Sequence, residues 1–279
     1  MKHYSPTSKS RRNMTGINYR EFITRNEPHK ALTLGGKRDV GRNNKGRVTS
    51  FHKGGGHKRM YRLVDFMYNK FDIPATVESV EYDPNRTGFI ALVLYKDGER
   101  RYILAPKNMK VGDSFIVSEN APVATGNRLP LKKLMAGTFV YNIEIHPRGG
   151  AKIARSAGNF CEVLASDAGF TSIKLPSGEV RKVNENSYAT IGAVSNDENQ
   201  LVQLGKAGKS RWLGRRPKVR GTAMNPVDHP YGGGEGRQGR GTKRPKTRTG
   251  KVTGGHKTRT PKKYSNVFVV SRRPGRKAR

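Results

Sequence analysis

The sequence predicts an all-β protein in which two small barrels lie between long, irregular, basic N- and C-terminal extensions. Two features carry that expectation: the excess charge is confined to the two ends, and only the neutral middle has strand patterning. Residues 1–62 hold 16 Lys+Arg against 3 Asp+Glu, and residues 205–279 hold 23 against 2. Residues 63–204 hold 16 of each, so the formal net charge of +34 belongs wholly to the flanks. A surface this basic repels itself unless a polyanion neutralises it.

Within the middle, FIALVLY (89–95) is apolar throughout, as a central strand is. Phe139, Tyr141, Ile143 and Ile145 alternate with other positions, which predicts a strand with one buried face. Asp97-Gly98 and Ser177-Gly178 sit between strand-like runs and predict two-residue hairpin turns, where glycine supplies positive φ. The pattern gives about ten strands and no long helix, with LPLKKLM (129–135) at most a short turn. That many short strands in roughly 140 residues suits two barrels better than one sandwich. Pro122, Gly126 and Pro130 mark the seam between them. The expected division is a basic extension over 1–60, one barrel over 61–125, a second over 126–204, and a basic extension over 205–279.

The flanks mix Gly, Arg, Lys, Thr and Pro without period, and by themselves bury too little apolar surface to offset the entropy of ordering. Irregular cationic arms on a neutral body suit a chain that threads into folded RNA, where phosphates surround the arms. The glycine runs 54–56 and 232–234 are read as backbone lying close to RNA. Duplex DNA fits less well, because no helix-turn-helix, basic zipper or zinc module is present.

Other chemistries find little support. No apolar run approaches the ~20 residues that span a bilayer, and the N-terminus has no apolar core of a secretory signal. The single cysteine, Cys161, allows no internal disulfide and suits a reducing compartment; its strand-like surroundings make it a core residue. GKAGKS (205–210) resembles a phosphate-binding loop, but Gln203 stands where the first glycine belongs. Seven histidines lack metal-ligand spacing, so no metal site and no cofactor are expected beyond RNA-associated magnesium. His52 and His57 bracket a glycine loop and are read as RNA contacts. Trp212, among arginines, either stacks on an unpaired base or packs on the protein body. His229 invites a general-base role, yet apart from Asp228 it has no nucleophile or carboxylate beside it, and Pro226 and Pro230 hold it in an extended turn.

The stretch PKVRGTAMNPVDHPYGGGEGR (217–237) resembles the signature segment of the universal large-subunit ribosomal protein L-two family, bacterial or organellar type. Pro217, Arg220, Gly221, Thr222, Ala223, Asn225, Pro226 and Asp228 match the pattern at every defined position. The likeness extends through 46–66, 81–106, 154–158 and 205–217. It implies an oligonucleotide-binding-type barrel followed by an SH3-like barrel, with extensions buried in rRNA. It also implies a primary rRNA-binding, non-enzymatic role in subunit association and in the architecture around the peptidyl transferase centre. The implied partners are large-subunit rRNA, neighbouring ribosomal proteins and the small subunit, with no membrane and no homo-oligomer. The implied location is a cytoplasmic ribosome or, alternatively, an organellar one. Arg86 in DPNRT and Arg155 in ARSAG match the family's key rRNA contacts in the body.

The remaining candidate RNA ligands are Arg47, Lys58, Arg59, Lys209, Arg211, Arg215, Arg216, Lys218, Arg220, Asn225 and Arg237, beside His52, His57, Trp212 and His229. In the signature segment Arg220 suits a phosphate, Asn225 a base edge or 2′-hydroxyl, and Asp228 the orientation of an Arg, Asn225 or a hydrated cation. The chain departs from the family at three places. Phe51 stands where Arg is frequent, Tyr231 stands where His is usual, and 237–250 lacks the family's His-Pro and Pro-Trp-Gly element. Two other classes stay open: a free-standing nucleic-acid binder, which would be folded without a large RNA, and an RNA-modifying enzyme, which needs a cofactor motif or acid/base pair not found here.

Overall fold

A computed structural model describes residues 1–36, 40–236, 238–255 and 257–273. The chain is all-β and divides into two compact units, one of residues 1–37, 58–207 and 267–279, the other of 38–57 and 208–266. Two hydrophobic cores lie in the first unit.

The first core is built on β1 (Ala75–Glu81), β2 (Ile90–Tyr95), β3 (Arg100–Leu104) and β4 (Ser114–Phe115), an antiparallel sheet in the order β3-β2-β1-β4. The apolar run 89–95 is explained by its position. Phe89, Ala91, Val93 and Tyr95 face the main core, whereas Ile90 and Leu92 face a second cluster with Tyr102. Leu32 and Val64 cover that second cluster, so a residue of the N-terminal flank, Leu32, joins the outer wall of the sheet. The flank is fastened there through polar groups. The His29 N–H donates to the Tyr102 hydroxyl at 2.8 Å, and Tyr102 donates to the buried Glu81 carboxylate at 2.6 Å. Ile17 enters the main core, although composition alone places it in an unstructured arm.

The second core lies under a seven-stranded antiparallel sheet. In chain order its strands are β5 (Arg128–Pro130), β6 (Phe139–Tyr141), β9 (Cys161–Asp167), β10 (Phe170–Lys174), β11 (Val180–Asn184), β12 (Tyr188–Ile191) and β13 (Val269–Ser271). A separate pair, β7 (Ile143–Glu144) with β8 (Ala151–Ile153), packs beside it. The order across the sheet is β13-β11-β10-β9-β6-β12-β5. Thus the C-terminal flank returns a strand to the body, capping the edge of β11 that would otherwise expose unpaired backbone groups. The run 129–135 contains one 3-10 turn, Leu131–Lys133.

Two local expectations change. Both hairpins form, but with three-residue loops: Tyr95 N–H bonds Glu99 O at 3.0 Å and Leu175 N–H bonds Glu179 O at 2.8 Å, each around a type I turn closed by a positive-φ glycine, Gly98 or Gly178. The 139–145 alternation also fails. Asn142 has φ +51 and splits the run into β6 and β7, so Val140 to Glu144 are all buried and Phe139 faces out.

The burial of Glu144 has a partner to account for it. Arg128, 1% exposed, donates through one terminal nitrogen to Glu144 Oε1 at 2.8 Å and through the other to Asn142 O at 2.7 Å and Thr190 Oγ1 at 3.2 Å. Its guanidinium lies 4.5 Å from the Tyr68 ring centroid, and Asn142 Nδ2 donates to the Tyr68 hydroxyl at 2.9 Å. Burial pushes the Tyr68 phenol up to about 12, with the charge of Arg128 acting in the opposite direction. Removing one member of such a pair strands a buried charge, so Arg128→Met or Glu144→Leu should each lower unfolding free energy by about 3–5 kcal/mol in denaturant melts. The double variant should recover much of the loss; equal or greater damage in the double variant contradicts this account.

Cys161 is fully buried, and that burial pushes its thiol up to about 12. At pH 8 the native thiol should therefore react with an alkylating reagent far more slowly than the unfolded chain. Its labelling rate should follow unfolding of the second barrel. Rapid labelling under native conditions would show that this core is open.

Candidate nucleic-acid interface

In the first unit, the two body arginines converge on one ring. Arg86 comes from the loop between β1 and β2, and Arg155 from the loop after β8. Their guanidinium carbons lie 5.2 Å and 4.5 Å from the Phe66 centroid. Phe66 is held between the barrels because its carbonyl accepts the Ala151 N–H at 2.7 Å, and Tyr68 two residues on is locked against Arg128 and Asn142. Arg86 also pairs through Nε with Asp83, whose carboxylate is fully buried. Arg59 donates to Pro84 O at 2.8 Å, tying 58–62 to the Arg86 loop, and the neighbouring Lys58 is exposed. The geometry presents two planar cations from different barrels on one aromatic support, suited to phosphate oxygens.

The second unit holds most of the other candidates. Its two segments carry 22 Lys+Arg against 3 Asp+Glu, and none of its described residues is a buried hydrophobic. Backbone bonds hold it together instead. His57 N–H donates to Trp212 O at 2.9 Å, Arg216 N–H to His52 O at 2.9 Å, and Gly54 N–H to Gly214 O at 2.9 Å. His52 Nδ1 lies 3.0 Å from Pro217 O, which fixes the proton on Nδ1 because a carbonyl only accepts. α1 (Ala207–Trp212) carries Lys209 and Arg211. Arg47, Arg215, Arg216, Lys218 and Arg220 are exposed, and Trp212 is 59% exposed.

The signature segment closes on itself. Asn225 O accepts the N–H groups of Asp228 at 3.0 Å and His229 at 3.3 Å, and His229 O accepts that of Gly232 at 2.9 Å. His229 Nδ1 accepts the Tyr231 N–H at 3.1 Å, with the two rings 4.6 Å apart. Nδ1 is therefore unprotonated, which leaves Nε2–H as the donor of a neutral ring. Asn225 and Asp228 shape this turn through their backbones, and the Asp228 carboxylate makes no hydrogen bond or ion pair among the described residues. The glycine runs also answer to the protein's own chain. A Cβ at Gly56 would lie 2.9 Å from Gly214 Cα, and one at Gly232 would lie 2.2 Å from Asn225 O.

Two of the departures meet the third. The Tyr231 hydroxyl accepts the Lys246 N–H, and Arg240 lies 5.8 Å from the Tyr231 centroid. Arg248 lies 4.8 Å from the Phe51 centroid. Phe51 and Tyr231 are thus the aromatic contacts of the divergent segment, a coupling visible in sequence only as three departures occurring together. Arg237 lies outside the described residues. No three metal-ligating side chains converge among the described residues, and no helix among them is long and apolar enough to cross a membrane.

The family model described as "Ribosomal Proteins L2, RNA binding N-terminal domain" matches residues 29–118, and that described as "Ribosomal Proteins L2, C-terminal domain" matches 124–250. The chain is 50% identical over 276 residues to the "Large ribosomal subunit protein uL2" of Granulibacter bethesdensis, covering 99% of each chain. It belongs to the ribosomal protein L2 family. The L2 match places Arg59, Arg86 and Phe66 in the RNA-binding N-terminal domain and Arg155 in the C-terminal one. The L2 C-terminal match also runs through the signature segment and on to residue 250, across the departing stretch.

If Phe66 aligns the two arginines, Phe66→Leu should weaken binding to a large-subunit rRNA fragment by about the 0.5–2 kcal/mol of a cation–π contact, while Phe66→Tyr should keep it. Filter binding and thermal melts of both variants check this. Equal affinity of the Leu and Tyr variants would remove the alignment role.

Proposed function

We propose that this chain is a structural constituent of the large ribosomal subunit and a primary binder of its rRNA. The carrying observation is the second unit: more than half of the chain's net charge sits in two segments without a buried hydrophobic among their described residues. Such a unit gains its stability from a polyanion, because phosphates remove the self-repulsion and supply partners for the exposed cations. The RNA-binding description of the matched family domain and the name of the bacterial relative support the same reading.

On this reading Arg86 and Arg155 grip rRNA from the body, and Arg47, His52, His57, Lys209 to Arg220 and the signature segment thread into it. The finer role is support of subunit association and of the architecture around the peptidyl transferase centre. Partners are rRNA, neighbouring ribosomal proteins and the small subunit, in a cytoplasmic or organellar ribosome. His229 serves structure and not proton transfer: its Nδ1 is already engaged with the Tyr231 N–H.

Two experiments test this. Replacing residues 218–262 by a short Gly/Ser linker keeps β13 and removes twelve Lys and Arg side chains. It should flatten the log–log salt dependence of rRNA binding by roughly 0.7–0.9 for each phosphate that the variant no longer neutralises. An unchanged slope would show that this segment does not touch RNA. His229→Gln should impair subunit assembly or association but leave single-turnover peptide formation nearly normal in assembled particles. A loss of about 10²–10⁴-fold in that chemical step would instead mark it as a general base.

A further inference from the structure

The second barrel carries a pair of aromatic rings that its core does not use. Phe139 and Phe160 are 51% and 42% exposed, with ring centroids 4.7 Å apart and planes at 60°. Register puts them outside. Phe139 pairs with Glu162 and Val140 with Cys161, so Val140, Cys161 and Val163 fill the core while Phe139, Glu162 and Leu164 line the outer face. Beside the rings is an open cleft of about 370 Å³, bounded by Asn159, Phe160, Glu162, Lys174 and the 175–178 turn. Its size falls in the range of small-ligand sites.

We propose that this cleft is a nucleobase site, in which an unpaired base of the bound RNA stacks on Phe160 with Phe139 buttressing the ring. The inference rests on the rRNA-binding reading and adds a ligand class and a position to it. Three features select a base over an apolar side chain of a partner protein. First, the walls carry edge-reading groups: the Asn159 amide can donate and accept, Glu162 accepts from an exocyclic amine, and Lys174 donates. The Glu162–Lys174 pair, 3.3 Å apart and solvent-exposed, is weak enough to open. Second, Phe160 ends the same loop that carries Arg155. That loop is pinned by Ala157 N–H to Thr87 Oγ1 at 3.0 Å, Asn159 N–H to Ser156 O at 3.1 Å, and Val194 N–H to Asn159 O at 3.1 Å. A phosphate held at Arg155 therefore has a fixed aromatic surface farther along one rigid loop. Third, Lys174 stands in the cleft wall, and the chain as a whole carries a formal net charge of +34, which favours a polyanion as partner. Single-stranded RNA is recognised by this combination of cations that track the backbone and aromatics that stack bases.

The test is zero-length ultraviolet crosslinking of the full chain bound to deproteinised large-subunit rRNA, followed by nuclease digestion and peptide mass spectrometry. Nucleotide adducts are expected on Phe160 or Phe139 in addition to those on the basic segments. Phe160→Leu, which keeps apolar volume but has no π face, should weaken rRNA-fragment binding by about 5- to 150-fold, the range for one stacked base. Phe160→Tyr keeps the π face and should bind within about twofold of the parent protein, and melting temperatures of both should stay close to it. Adducts on the basic segments with none at these rings, or equal affinity of the Leu and Tyr variants, would overturn the base site while leaving the rRNA reading intact. No adduct anywhere would overturn both. Crosslinking of this face to a protein neighbour in the assembled subunit would assign the rings to a protein contact and overturn the proposal.

Discussion

The guanidinium of Arg128 is the point on which the first unit turns. Burying a cation costs several kcal/mol unless its hydrogen bonds are met, and here Glu144, Asn142 and Thr190 meet them while Tyr68 covers its face. The partners come from three stretches of chain: Tyr68 precedes the first sheet, Asn142 is the break between β6 and β7 with Glu144 at the end of β7, and Thr190 lies on β12. Glu144 is itself held by the backbone N–H groups of Arg148 at 3.0 Å and Tyr188 at 3.3 Å. The network therefore fixes the seam between the cores as a polar joint, whose directional bonds allow fewer alternatives than apolar contact. Leu104, Tyr141 and Val194 add a small apolar cluster at the same junction.

From that joint follows the arrangement of the body cations. Tyr68 is anchored, so Phe66 is placed; Phe66 is placed, so Arg86 and Arg155 share its ring. A flexible junction would leave two independent surface arginines, each losing rotamer entropy separately on binding. The shared support restricts both side chains in advance and so lowers the rotamer entropy that any anionic ligand would cost them. Asp83 acts similarly on Arg86, since a fully buried carboxylate restricts the guanidinium to one direction.

The second unit follows the opposite logic. It has cations and turn chemistry in place of a core. Its backbone bonds give it a path, and its aromatic contacts, Phe51 with Arg248 and Tyr231 with Lys246 and Arg240, hold the divergent segment. One chain thus joins a unit that folds by hydrophobic burial to a charge-rich unit whose described residues bury no hydrophobic side chain.

The fold class, the hairpins at Asp97-Gly98 and Ser177-Gly178, and the partition of charge were all legible in the residue order, because each depends on neighbours in the chain: alternation, turn residues and local composition. The family was legible too, through the fixed spacing of the 217–237 segment. Contacts between distant stretches of chain settled the rest. Only in the folded molecule does Leu32 become the wall behind Ile90 and Leu92, and Val269–Ser271 the edge of a sheet begun some 140 residues earlier. The break at Asn142 was hidden for the same reason: the residue at positive φ is bonded by Arg128 at its carbonyl and by Tyr68 at its side-chain amide, partners from distant stretches that no local pattern announces. Arg86 and Arg155 were legible as residues and invisible as a pair, since the ring that unites them lies twenty residues from one and eighty-nine from the other.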